Sequence, residues 1–127
     1  MGNNIGDNML TTHELTELTT ALKTSVDDEF TYGAIGTGTT AATVDDTSLE
    51  SEVLRKARQE TSTTTTSRTV SLWIASTEAN ASNITELGWL DESTGGNLKG
   101  RWVFDEIAKT STYELWFDVN INFEVTQ

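Results

Sequence analysis

The 127-residue sequence predicts a mainly β domain, an antiparallel β-sandwich of jelly-roll-like form with an N-terminal α-helix. Three observations predict it. From Arg68 onward, apolar and polar residues alternate with the period of two that half-buried strands require. The turn signals "STGG" and "KTST" separate those stretches at hairpin spacing, which favours antiparallel neighbours over parallel crossovers. Only residues 10–25 carry a clear helical pattern. One domain is expected at this length, with 1–29 as an N-terminal arm and helix and 30–127 as the sandwich.

In "LTTHELTELTTALKTS" (10–25), Thr11 is placed as N-cap, with Glu14 three residues on to complete a capping box and Leu10 opposite Leu15 as a hydrophobic staple. Leu15, Leu18, Ala21 and Leu22 then form one apolar stripe, which either packs on its own domain or docks on a neighbouring subunit. "FTYGAIG" (30–36) reads as a strand. "DDTSLESEVLRKA" offers a second capping box, Thr47 with Glu50, and so a brief helical turn that runs into a strand from about Val53. The block "TSTTTTS" reads as a loop or hairpin tip, although β-branched threonine also suits an exposed strand.

"RTVSLWIA" places Val70, Leu72 and Ile74 on one face, with Trp73 opposite them. "NITELGWL" brings Ile84, Leu87 and Leu90 towards a core, and "NLKGRWVFDEI" alternates Leu98, Gly100, Trp102 and Phe104. In "YELWFDVNINFEV", Tyr113, Leu115, Phe117, Val119, Ile121, Phe123 and Val125 make an unbroken apolar face, a strand of about 40 Å if straight. That length is expected to pair across a subunit boundary. Trp116 lies on the opposite, polar face and is expected to anchor a partner.

Composition narrows the chemistry. Eight Lys and Arg against twenty Asp and Glu give a net charge of −12, a field that repels phosphate backbones and anionic membranes, so no direct nucleic-acid or membrane partner is expected. No apolar run approaches the roughly 20 residues of a membrane span, and "MGNNIGDNML" lacks the basic and apolar regions of a signal peptide, so a soluble, unexported chain is expected. With no cysteine, disulfides and thiolate metal sites are excluded.

The stretch "YGAIGTGTTAATVDD" looks at first like a phosphate loop. A P-loop needs a lysine after its last glycine, and Gly33, Gly36 and Gly38 are followed by Asp45 and Asp46 instead. The order Gly-x-x-Gly-x-Gly also reverses the dinucleotide fingerprint. What remains is a tight strand-to-loop turn built on these glycines, with Gly95 and Gly96 as a second structural loop. His13 has no partner histidine or cysteine, so neither a triad nor a zinc centre has material to form. Asp45, Asp46, Glu50 and Glu52 match no EF-hand spacing and read as a solvated acidic turn. No catalytic residue, cofactor or metal is expected. Trp73, Trp89, Trp102 and Trp116 read as core or interface anchors before they read as platforms for sugar rings.

Three stretches in order, "YGAIGTGTTAATVDDTSLESEVLRK", "ITELGWLDESTGGNLKGRWVF" and "IAKTSTYELWFDVNINF", resemble a class of virion structural proteins from tailed double-stranded-DNA viruses, bacteriophages and their archaeal relatives. The resemblance spans about residues 30–125. It falls on Gly36, Gly38, Thr39, Thr40, Asp46, Thr47, Leu49, Glu52, Glu86, Gly88, Gly95, Gly96, Lys109 and Thr110, and departs where Ala42 stands in place of an expected proline. It implies a non-enzymatic capsid-associated, decoration or tail part, assembled in the host cytoplasm as a homo-oligomer beside major capsid or tail proteins. Interface candidates are then Leu15, Leu18, Leu22, Trp73, Trp89 and Trp116. The alternative is a host-recognition module that contacts a host glycan or surface protein.

The acid excess, with only four lysines, predicts adaptation to a saline environment. Unfolding midpoints measured from low to molar KCl should rise strongly, whereas a flat profile contradicts salt adaptation.

Overall fold

The computed structural model describes residues 20, 21, 24–26, 29–63 and 67–122. They form seven strands: β1 (Tyr32–Gly36), β2 (Glu52–Ala57), β3 (Glu60–Thr63), β4 (Ser67–Ile74), β5 (Asn83–Leu90), β6 (Leu98–Ala108) and β7 (Leu115–Asn122). Every pairing is antiparallel. One sheet has the order β2-β1-β5-β6 and the other β3-β4-β7, so the chain changes sheet after β2, after β4 and after β6. Strands β2 and β3 are separated by only Arg58 and Gln59, whose backbone N–H groups donate to Thr31 O and Ser71 O, one in each direction of the crossing.

The main core draws on both sheets. Ile35, Ile84, Leu87 and Trp89 from the four-stranded sheet meet Val70, Leu72 and Ile74 from the three-stranded one, with Val26 joining them. The alternation expected for β4 and β7 is the source: Leu115, Phe117, Val119 and Ile121 pack against this core, while Trp116, Asp118, Asn120 and Asn122 are exposed. Gly33 belongs to this packing rather than to a loop. It lies within β1 opposite Trp89, and a Cβ there would sit 3.0 Å from the Leu72 methyls.

Strand β5 departs from simple alternation. Residues 84–90 are all buried, and with a register shift between Ile84 and Glu86, Ile84 and Leu87 enter the same core although two residues separate them. Both faces of this central strand are therefore covered. On its second face Leu90 joins Ala34 and Leu49, with Leu98 packed against them. Leu49 comes from the long connection between β1 and β2, which folds over the outside of the four-stranded sheet.

Some expectations change. The helix expected over 10–25 lies largely outside the described residues, as do Leu15, Leu18, Leu22 and His13. The described helical residues are Thr20, Ala21, 24–26 and Glu29, so the structure supports only a short helical stretch, tied to the domain by buried Val26. The helical turn expected at Thr47–Glu50 is absent, because Glu50 accepts from the amides of Thr39 and Thr40 and not from its own segment. The Thr/Ser block contributes strand on both sides of residues 64–66, which lie outside the described residues. Described β7 is shorter than the strand expected from Tyr113 to Val125: Tyr113 precedes it, and Phe123 and Val125 are outside the described residues.

Candidate functional site

The most built part of the molecule is the connection 37–51, the glycine-threonine stretch of the sequence, where it lies on β5 and β6. Its centre is Glu86, which alternates with the core residues Leu87 and Trp89 along β5, so that it faces away from the main core, and which has no solvent exposure. Each carboxylate oxygen accepts two hydrogen bonds. Oε2 takes the backbone N–H groups of Gly38 and Ser51, both at 2.8 Å. Oε1 takes Glu50 N–H at 3.0 Å and Arg101 Nε at 2.8 Å.

The close approach explains Gly36 and Gly38. A Cβ on Gly36 would lie 2.6 Å from Glu86 Oε2 and would also strike the Ser51 carbonyl; on Gly38 it would lie 2.5 Å from Glu86 Oε2. Any side chain here pushes the carboxylate out of its seat. Thr85 closes the same corner by donating its hydroxyl to Gly38 O at 2.6 Å.

Arg101 carries the arrangement outward. Its guanidinium, 3% exposed, binds Glu86 through Nε, Asp46 Oδ2 through Nη1 at 3.0 Å and Thr40 O through Nη2 at 2.9 Å. Asp46 in turn accepts from Thr43 N–H at 3.0 Å. Glu50 accepts from the amides of Thr39 and Thr40 and from the Thr40 hydroxyl. A second fastening lies where β4 joins β5. Lys109, 1% exposed, places its ammonium 2.9 Å from both Asn80 Oδ1 and Thr110 O, beside Ala79 and Ala81 in left-handed conformations (φ 53° and 65°).

Electrostatics follow from these contacts. Burial alone would raise the Glu86 carboxyl, but the Arg101 guanidinium and the amides of Ser51, Glu50 and Gly38 outweigh it and hold it below its ordinary value. The Thr43 amide and Arg101 lower Asp46, and the Thr40 hydroxyl and amide lower Glu50. Arg101 is raised chiefly by Glu86. Asp46, Glu50, Glu86 and Arg101 are all engaged within the chain.

The remaining predicted residues separate into two groups. Gly95 and Gly96 form the β5–β6 turn in left-handed conformations (φ 62° and 77°), and Arg55 Nη1 donates to Gly95 O at 2.8 Å. Trp89 is a correction: it has no exposure and packs in the main core, where neither a subunit nor a sugar reaches it. Trp73 and Trp116 are brought together as directly opposed residues of β4 and β7 on the outer face of the three-stranded sheet. Their rings stack with centroids 6.0 Å apart. The Lys56 ammonium lies 4.9 Å from the Trp73 ring, and Trp116 stays 53% exposed.

The acidic turn is dispersed: Asp46 pairs with Arg101, Glu50 caps Thr39 and Thr40, and Glu52 pairs with Arg55. Among the described residues no group of three His, Cys, Asp or Glu could hold a metal ion. A hollow of about 550 Å³ opens beside the connection, but its charged walls include Asp46 and Arg101, which already bind each other. Sequence reasoning missed the role of Arg101 altogether. Its position on the polar side of the β6 alternation, one residue from Trp102, was the available signal. The chain matches no protein-family model and no curated protein.

Glu86→Gln should cost about 3–5 kcal/mol in a denaturant melt, because it takes from the buried Arg101 charge its fully buried partner, leaving only the partners at the rim, and turns an amide nitrogen towards donors. The lowered carboxyls give stability that is fully present above their ordinary values, 4.5 for Glu86 and 3.8 for Asp46, and lost as pH falls through their lower folded values. An acid titration followed by tryptophan fluorescence should therefore show the wild-type midpoint dropping below pH 4.5, with a shallower dependence in Glu86→Gln.

Proposed function

We propose that this chain is a non-enzymatic structural component of the particle of a tailed double-stranded-DNA virus, capsid-associated or in the tail, and that it assembles as a homo-oligomer. One observation carries the reading. Gly36, Gly38, Thr39, Thr40, Asp46, Leu49, Glu86 and Gly88, drawn from separate stretches of the resemblance, converge on the fastening of the 37–51 connection to the sheet. Those positions together hold the shape of one connection, and that common geometric role supports the structural reading.

The fold is read as a β-sandwich, supported by the core common to both sheets. A jelly roll in the strict sense has eight strands, whereas seven are described here. Among the described residues, strands β2, β3, β6 and β7 each pair on one side only, which leaves edges for neighbouring copies or for major capsid and tail proteins. The stripe Leu15, Leu18 and Leu22 is assigned to docking on such neighbours.

A second reading, recognition of a host surface by an appendage, is favoured by the exposed Trp116 stacked on Trp73. Quantitative mass spectrometry of purified particles tests the first. Copies in the hundreds assign a shell or decoration part, and a handful assigns the neck, tail tip or fibre. Absence of the chain from the particle contradicts it.

A further inference from the structure

We infer that the outer face of the three-stranded sheet, along β7, is a binding site for an uncharged oligosaccharide. This deepens the second reading above and is independent of where the chain sits on a particle. On that face three cross-strand rungs follow one another at alternate residues, about 7 Å apart. The first is the stacked pair Trp73 and Trp116. The next is Ser71, whose hydroxyl donates to Asp118 Oδ1 at 2.6 Å, and the third is Thr69, whose hydroxyl donates to Asn120 Oδ1 at 3.2 Å.

Each rung is fixed from one side and open on the other. The stack with Trp73 limits the motion of the half-exposed Trp116 ring. Ser71 and Thr69 orient Asp118 and Asn120, yet each keeps one hydrogen-bonding group without a partner among the described residues: Oδ2 of Asp118, an acceptor, and Nδ2 of Asn120, a donor. A fixed aromatic surface followed by an oriented acceptor and donor suits a sugar ring, which offers a C–H face to the indole and hydroxyls to the polar groups.

The site continues round the edge of β7. Leu87, Trp102, Asp118, Val119 and Asn120 line a groove of about 350 Å³. Trp102, 41% exposed, lies back over Gly100, where a Cβ would come within 2.8 Å of its ring. Gly100 thus lets a second indole lie flat beside the groove. Charge selects the ligand: a net charge of −12 and the carboxylate of Asp118 disfavour phosphorylated, sulfated or carboxylated glycans, and Lys56, 4.9 Å from the Trp73 ring, is held by Glu78 at 2.8 Å.

The test is calorimetric titration of the purified protein with neutral glucan, mannan and chitin oligosaccharides, with sulfated and sialylated glycans and an extended peptide as controls. The inference expects saturable binding to a neutral oligosaccharide, weakened at least tenfold by Trp116→Ala and several-fold by Asn120→Ala, which leaves the tryptophan stack in place. Unchanged unfolding midpoints in both variants exclude misfolding as the cause. No saturable binding to any neutral probe overturns it, as does binding only to the anionic glycans or the peptide. If Trp116→Ala lowers the oligomer mass and no oligosaccharide binds, the face is a subunit contact: the glycan site fails and the assembly reading stands.

Discussion

A carboxylate without solvent exposure, with two hydrogen bonds on each oxygen, is the constraint on which the outer side of the four-stranded sheet depends. Glu86 replaces the water that the amides of Gly38, Glu50 and Ser51 would otherwise need when the 37–51 connection folds over the sheet. An apolar residue at this position would remove one buried charge but leave three backbone donors unsatisfied, at about 1–3 kcal/mol each. The usual argument that a buried ion pair can be exchanged for a hydrophobic one therefore does not extend to this carboxylate. Arg101 both pairs with it and, through Asp46 and Thr40, carries the constraint to the rim of the connection.

The two faces of β5 divide the work. The main core holds the two sheets together with Ile84, Leu87 and Trp89, and the small second cluster holds the connection with Leu90, Leu49 and Ala34. Alternation with Leu87 and Trp89 places the Glu86 carboxylate on the second face, and the register shift between Ile84 and Glu86 accompanies the return of Ile84 to the first. Gly88 completes this arrangement: a Cβ there would lie 3.2 Å from Leu49 Cγ. The opposite side of the molecule is organised differently. There the outer face of the three-stranded sheet presents stacked indoles and oriented polar groups to solvent.

The β class, the antiparallel order and the inward faces of β4 and β7 were legible because period-two alternation is a local signal. So was the exclusion of a phosphate loop, which needed only the missing lysine after Gly38. Three things were not legible. Glu86 looks like a solvent-facing residue in "NITELGWL" because nothing local shows that the 37–51 connection folds over that face, and the register shift that lets Ile84 share the core with Leu87 and Trp89 has no sequence mark. Glu50 satisfies the spacing of a capping box with Thr47, yet its nearest unsatisfied donors in the fold are Thr39 and Thr40, a tertiary fact that spacing cannot carry. The separation of buried Trp89 from exposed Trp116 likewise depends on which strands are central in each sheet.

Amide hydrogen exchange at Gly38, Glu50 and Ser51 tests the central role of Glu86 most directly. These three groups lie outside regular strands, so an ordinary surface loop would let them exchange in minutes or faster through local opening. If the buried carboxylate fastens the connection as described, they exchange with the protection of the core strands β1 and β5, and Glu86→Gln lowers their protection more than it lowers that of β4. Rapid exchange of all three in the wild-type protein, alongside a protected core, would contradict the account.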